Sequence, residues 1–415
     1  MNSRERVHTA LSFKRPDRIP LDFGGHRSSG ISAIAYARLK KALGITTGDI
    51  YVYDMVQQLA IIEQPVLDKL GVDTIEMGRA FCKEAKDWKD WTLPDGTACK
   101  IPAYVKVVKK DDTWVLLSDE GKELGIQKPG CLYFEQTYYP METVDYYTDP
   151  FSDLKKHFSN SMWMAVGHPA SHLKLEGADL KTLADGAKNL RASTDRAIIG
   201  LFGGNLFEIP QFLFKTDNYL LYMAMFPDAT HRFTEKLCEM HCDNIRKWLG
   251  AVGPHIDIMM FGDDLGSNNG PMIDPAMYRE YYKPWHTKMW SLVKQIAPHV
   301  KIQLHSCGGI EPFLNDLIEA GLDAVNPVQI SCKGMELPNL RKKYKNRITL
   351  WGGGCDTQHI LPNGTPDEVK KHVKTQIEEM KEADGGFVFQ QVHNVMANIP
   401  TENLLAMFET FDKYR

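Results

Sequence analysis

Eight short apolar runs, spaced so that helical patterns fit between them, limit what this chain can fold into. They are Ile19–Phe23, Gly71–Met77, Ala197–Phe202, Ile256–Phe261, Val300–His305, Asp323–Asn326, Ile348–Trp351 and Gly386–Val392. Short, nearly continuous apolar runs separated by amphipathic helices read as parallel strands buried on both faces. Alternation of this kind over 415 residues predicts an α/β protein of the (β/α)8 TIM-barrel class. No Gly-x-Gly-x-x-Gly follows the first run, which argues against a doubly wound dinucleotide-binding sheet.

Two additions to that barrel are legible. Asn2 with Glu5 forms a capping-box pattern ahead of a helix from Arg6 to Phe13, an N-terminal helical extension that must end before Pro16. Between residues 80 and 140 the helical pattern gives way to Trp88, Trp91, Val105–Val108, Trp114–Leu117 and Tyr133–Phe134, punctuated by turn pairs such as Asp95-Gly96. That stretch predicts a β-hairpin insertion, 80–140, within one barrel domain spanning 1–415.

Composition excludes several function classes. A net charge of −4 without any long Lys/Arg run leaves no footprint for nucleic acid or an anionic membrane. No apolar stretch reaches about 18 residues and no apolar segment follows the N-terminal charges, so a cytoplasmic protein is expected. Eight cysteines in so long a chain make no dense disulfide framework, and most should be buried thiols.

In this fold the active site lies at the C-terminal ends of the strands. Polar residues gather there: Asp22 and His26, Glu76, Glu208, Asp263 and Asp264, His305 and Cys307, Asn326 and Gln329, Cys355, and His393. His305 and Cys307 are two residues apart, so both side chains can face one side of a strand end. Cys355 ends the next strand but one, roughly 10 Å away, and alternate strands share a side-chain layer. One imidazole and two thiolates suit zinc and leave a fourth position open for substrate. The same three residues also read as two buried thiols and a hydrogen-bonded core histidine. Glu208, Asp263 and His393 are candidate catalytic groups or a fourth ligand, against helix-capping, first-turn and barrel-rim roles. His26, Asn326 and Gln329 are candidate substrate contacts.

Asn2-Ser3-Arg4-Glu5-Arg6, Pro16-Asp17-Arg18-Ile19-Pro20, Gly262-Asp263-Asp264-Leu265-Gly266, His305-Ser306-Cys307-Gly308, Asn326-Pro327-Val328-Gln329 and Trp351-Gly352-Gly353 together resemble the uroporphyrinogen decarboxylase superfamily. The resemblance covers essentially the whole chain and implies the same barrel. Its His-x-Cys with a distant Cys is similar to the zinc motif of corrinoid-dependent methyltransferases, which implies His305, Cys307 and Cys355 as ligands. True decarboxylases carry an arginine-rich segment after the first strand. Here the segment is Asp22-Phe23-Gly24-Gly25-His26-Arg27, which disfavours porphyrin decarboxylation.

The resemblance therefore implies a methyltransferase of the O-demethylase type. It would take a methyl group from a small methoxylated, aromatic donor and pass it to the cobalt of a corrinoid. The chain has no Asp-x-His-x-x-Gly motif, so the corrinoid is expected on a separate partner protein. The alternatives are transfer from a methylcorrinoid to a small thiol and a non-catalytic ligand-binding barrel. A homodimer is compatible with either.

Overall fold

The computed structural model describes residues 1–167, 173–381 and 385–415. Seven parallel strands form its central sheet: β1 (Thr74–Glu76), β2 (Ala197–Gly203), β3 (Ile258–Gly262), β4 (Lys301–His305), β5 (Ala324–Asn326), β6 (Thr349–Trp351) and β7 (Phe387–Val388). They lie side by side in chain order, so the sheet curls without crossing itself. Each of the last seven predicted runs holds one of them, with β2 and β3 each extending one residue past the end of its run.

The first run behaves differently. Leu21 makes only an isolated parallel bridge, to Phe389, rather than a strand. Its neighbours nevertheless hydrogen-bond both sheet edges: Asp22 N–H reaches the Phe389 carbonyl at 2.9 Å, and Asp73 N–H reaches the Leu21 carbonyl at 2.8 Å. Pro20 has no N–H to donate, and Gly24 at φ +77° turns the chain away, so no ladder can extend.

Inside the curl, Ala197, Ile199, Ile258, Met260, Ala324, Trp351 and Val388 pack with Val7 and Leu11 of helix α1 (Ser3–Leu11). The capping box predicted at Asn2 and Glu5 is present, and α1 plugs the end of the sheet opposite its C-terminal edge. The intervening residues of each strand, such as Ile198, Met259, Ile302, Leu304 and Val325, pack outward on the helices between strands. Period-two alternation thus feeds two cores.

Helices fill the crossovers, among them Gly177–Ser193, Pro227–Val252, Lys283–Ile296 and Pro366–Lys381. The crossover after β2 opens with two short helices, Glu208–Phe214 (α2) and Thr216–Met225, separated at Lys215, whose φ is +75°. Antiparallel strands occupy much of 88–136: a hairpin, Trp88–Thr92 with Ala98–Pro102, and a four-stranded sheet starting at Lys106. Among the described residues no helix is long and apolar enough to cross a membrane.

Candidate metal centre and cavity

β4 ends at His305, and three residues later the chain turns at Gly308, φ +89°. A Cβ there would come within 2.3 Å of the Gly266 backbone, so the turn requires glycine. The turn is held by hydrogen bonds from the Cys307 N–H to Asp264 Oδ1 at 2.7 Å and from the Gly308 N–H to Gln329 Oε1 at 2.8 Å. Cys307 Sγ then lies 3.4 Å from His305 Nε2.

The third member of the cluster comes from the loop after β7. His393, Cys307 and His305 each present a ligand atom, all within 4.8 Å of one another. The sequence offered His393 as an acid or fourth ligand, and the structure groups it with the other two. Cys355 is not in that group. It is fully buried, its Sγ 3.9 Å from the Asp356 carbonyl, while its own carbonyl accepts from Val392 N–H at 2.8 Å. It therefore sits next to the His393 loop.

Two cavities meet at this cluster. The larger, about 860 Å³, is lined by His305, His393, Asp264 and Glu208, with aromatic walls that include Trp163, Phe202, Phe212 and Trp248. The smaller, about 260 Å³, is lined by Cys307 and His393 together with the polar side chains of Asn268, Gln329, Thr357 and Gln358. Tyr133, from the β-rich segment, also reaches the larger cavity.

Burial sets the protonation states. It pushes the His305 imidazole below its usual range, against Asp264, and brings His393 down to about 4, helped by the neighbouring His305. The Cys307 thiol is pushed well above its usual value by burial, then by Asp264 and Glu208. Glu208 is raised well above the carboxylate range by burial, then by Asp264 and Asp263. Two neutral imidazoles and a thiol beside carboxyl groups are a donor set for a soft-to-borderline divalent cation, which would reverse the thiol's shift. The donors fit zinc.

Three expected site residues are placed elsewhere. Asp263 is fully buried and its carboxylate accepts the N–H groups of Leu206, Phe207 and Glu208 at 2.8 to 3.1 Å, capping α2. It lines neither cavity, because those donors hold it turned away. His26 is fully buried, its Nε2 3.0 Å from Asp22 Oδ2, and contacts no cavity. Asn326, also fully buried, stands behind His305 rather than facing substrate. Gln329 and Glu208 do line the cavities, the small one and the large one respectively.

A family model described as uroporphyrinogen decarboxylase (URO-D) matches residues 143–414. The chain belongs to the uroporphyrinogen decarboxylase family. The match spans β2 to the C-terminal helix and so includes every member of the metal cluster. This URO-D family chain is also similar in structure to a methyltransferase from Methanosarcina mazei, with a TM-score of 0.56 and 14% identity, covering 100% of this chain and 99% of that one. At that identity the likeness is one of fold. No curated protein matches the URO-D family chain.

Asp264 was gathered with the strand-end polar residues but given no role, and Arg27 and the aromatic walls are cavity-lining residues that strand-end reasoning passed over. Arg27 lines the large cavity with its guanidinium 5.6 Å from the Trp163 ring centre and 3.4 Å from Asp54. A parity signal for Asp264 was present: Gly262 pairs with His305 across β3 and β4, so Asp264 continues on the face of Cys307.

Proposed function

We propose that this protein is a zinc-dependent methyltransferase. It moves a methyl group from a methoxylated aromatic substrate to the cobalt of a separate corrinoid protein. The observation that carries this reading is the convergence of His305, Cys307 and His393 where an aromatic-lined cavity of about 860 Å³ meets a smaller one of about 260 Å³. Cys355, next to the His393 loop, is retained as a fourth ligand of the resting site only, in the position that the substrate oxygen would take. Zinc bound there would supply Lewis acidity to the oxygen that loses its methyl group, stabilising the charge left behind.

The chain's own residues do the remaining work. Trp163, Phe202, Phe212 and Trp248 give the substrate ring a chamber with aromatic walls to pack against, as small-molecule sites generally provide. Glu208, kept protonated by burial and by Asp264 and Asp263, lies on the same chamber wall and donates its proton to the departing oxygen. Asn205 Nδ2 holds the Glu208 carboxyl at 2.6 Å.

A second reading is transfer from a methylated corrinoid protein to a small thiol, and the separate cavity of about 260 Å³ beside Cys307, of a size for a small thiol, favours it. Metal analysis comes first: a purified protein with no bound zinc would sink both readings. The next test supplies a panel of methoxylated aromatics with a reduced corrinoid protein, where demethylated product is expected. Thioether formed from a small thiol and methylated corrinoid protein, without any demethylation, would replace the first reading by the second.

A further inference from the structure

Asn326 pairs with His305 across β4 and β5, and its side chain has every hydrogen-bonding position assigned. Its Nδ2 faces two acceptors, the Trp351 carbonyl at 3.1 Å and Gln390 Oε1 at 2.8 Å. Gln390 is itself fixed, because its Nε2 lies 3.2 Å from the Ser28 carbonyl and 3.5 Å from that of Val392. With both acceptors on the amide nitrogen side, Asn326 must turn its Oδ1 toward His305 Nδ1, 3.0 Å away. A carbonyl oxygen only accepts, so Nδ1 carries the proton and the Nε2 lone pair faces Cys307.

The lock continues inward. Ser28 Oγ donates to the same Asn326 Oδ1 at 2.8 Å and lies 3.0 Å from His26 Nδ1. His26 Nε2 is in turn 3.0 Å from Asp22 Oδ2. Asp22 is anchored by the N–H of Gly25 at 2.9 Å, by Thr74 Oγ1 at 2.7 Å and by the Trp351 indole at 2.8 Å. All of these residues are buried, so the orientation of the His305 ring is set by packing and by a polar network closed to solvent.

We propose that Asn326 is the positioning residue of the metal centre. With Gln390, Trp351 and Ser28 it fixes His305 in the Nδ1–H tautomer, so that Nε2 is presented to the metal before any metal binds. This rests on the metal-centre reading above, and it reassigns Asn326, His26 and Ser28 from substrate contact or simple packing to support of one ligand. Outer partners of this type typically change metal affinity by about 10- to 100-fold.

The experiment is a zinc competition titration against a chromophoric chelator, with thermal unfolding of the metal-free protein alongside, for the wild type, Asn326→Leu and Asn326→Asp. Leucine removes the acceptor and is expected to weaken zinc about 10- to 100-fold, whereas aspartate keeps an oxygen facing His305, though it sets the other against the Trp351 carbonyl and Gln390 Oε1, and is expected to bind zinc more tightly than the leucine variant and less tightly than the wild type. If the wild type binds zinc and the folded leucine variant binds it equally well, the positioning role is wrong while the metal centre stands. If the wild type binds no zinc, the metal-centre reading fails first and takes this inference with it. Should the leucine variant not fold, nitrogen-15 shifts of the histidine rings in the metal-free wild type decide the matter: an Nε2–H tautomer at His305 overturns the proposal, and Nδ1–H supports it.

Discussion

Cys307 donates its backbone N–H to Asp264 at 2.7 Å, and the same carboxylate oxygen lies 3.7 Å from His305 Nε2. One carboxylate therefore shapes the turn that carries the thiol and places negative charge beside two proposed metal ligands. Asp264→Asn keeps an oxygen for the amide and removes the charge. The expected result is zinc affinity lowered by roughly tenfold with the unfolding midpoint nearly unchanged. Equal losses in both would mean that the hydrogen bond, not the charge, is what matters.

His393 joins the cluster by geometry, whereas Cys355 was expected from sequence and is buried beside the His393 loop. On the proposed reading, Cys355 would complete a tetrahedral shell with His305, Cys307 and His393 in the resting protein and give way to substrate. His393→Ala and Cys355→Ala are each expected to leave less than about half a zinc per chain after exposure to a competing chelator. A Cys355→Ala protein with wild-type zinc content would restrict the protein ligands to His305, Cys307 and His393.

Glu208 stands on the wall of the aromatic chamber with its carboxyl raised by burial and two aspartates. If it donates the proton to the leaving oxygen, Glu208→Gln should slow demethylation by roughly 100- to 10,000-fold while zinc content stays at the wild-type level. Substrates whose leaving oxygen is a weaker base should be slowed less. A uniform loss across leaving groups would assign Glu208 to positioning instead.

The strands were legible because runs such as Ile256–Phe261 and Val300–His305 leave a parallel strand few alternatives, and seven of the eight stand where periodicity put them. Which way a polar strand-end residue points was harder to read. Asp263 and Asp264 are adjacent, yet one caps α2 and the other faces the cavity, and only the pairing of Gly262 with His305 separates them. His26 and Asn326 look like site residues by position, but a buried polar network needs the same residue types at the same strand ends. The cavity's aromatic walls come from loops and helices, where Trp248 or Phe212 is indistinguishable in sequence from an ordinary core contact.

Glu76 ends β1, buried with Asp22 and Asp54 and faced by the half-buried Arg27 and Arg79. Burial raises its carboxyl, Arg27 and Arg79 oppose that, and Asp54 and Asp22 add to it, leaving it at about 7. Its ordinary value is 4.5. An acid whose folded pKa lies above its unfolded value binds more protons folded than unfolded between the two, so its contribution to stability falls as pH rises through that window. The window runs from 4.5 to about 7, and the fall is on the order of 3 kcal/mol. Glu76→Gln removes this titration, though it also costs Arg79 a charged neighbour, so its absolute stability can lie on either side of the wild type. The difference between the two proteins is the informative quantity. Unfolding midpoints measured from pH 4.5 to 8 should show the wild type losing ground to Glu76→Gln across the window and then running parallel above it. A wild type that instead gains on the variant as pH rises would mean that Arg27 and Arg79 hold Glu76 ionised in the folded protein.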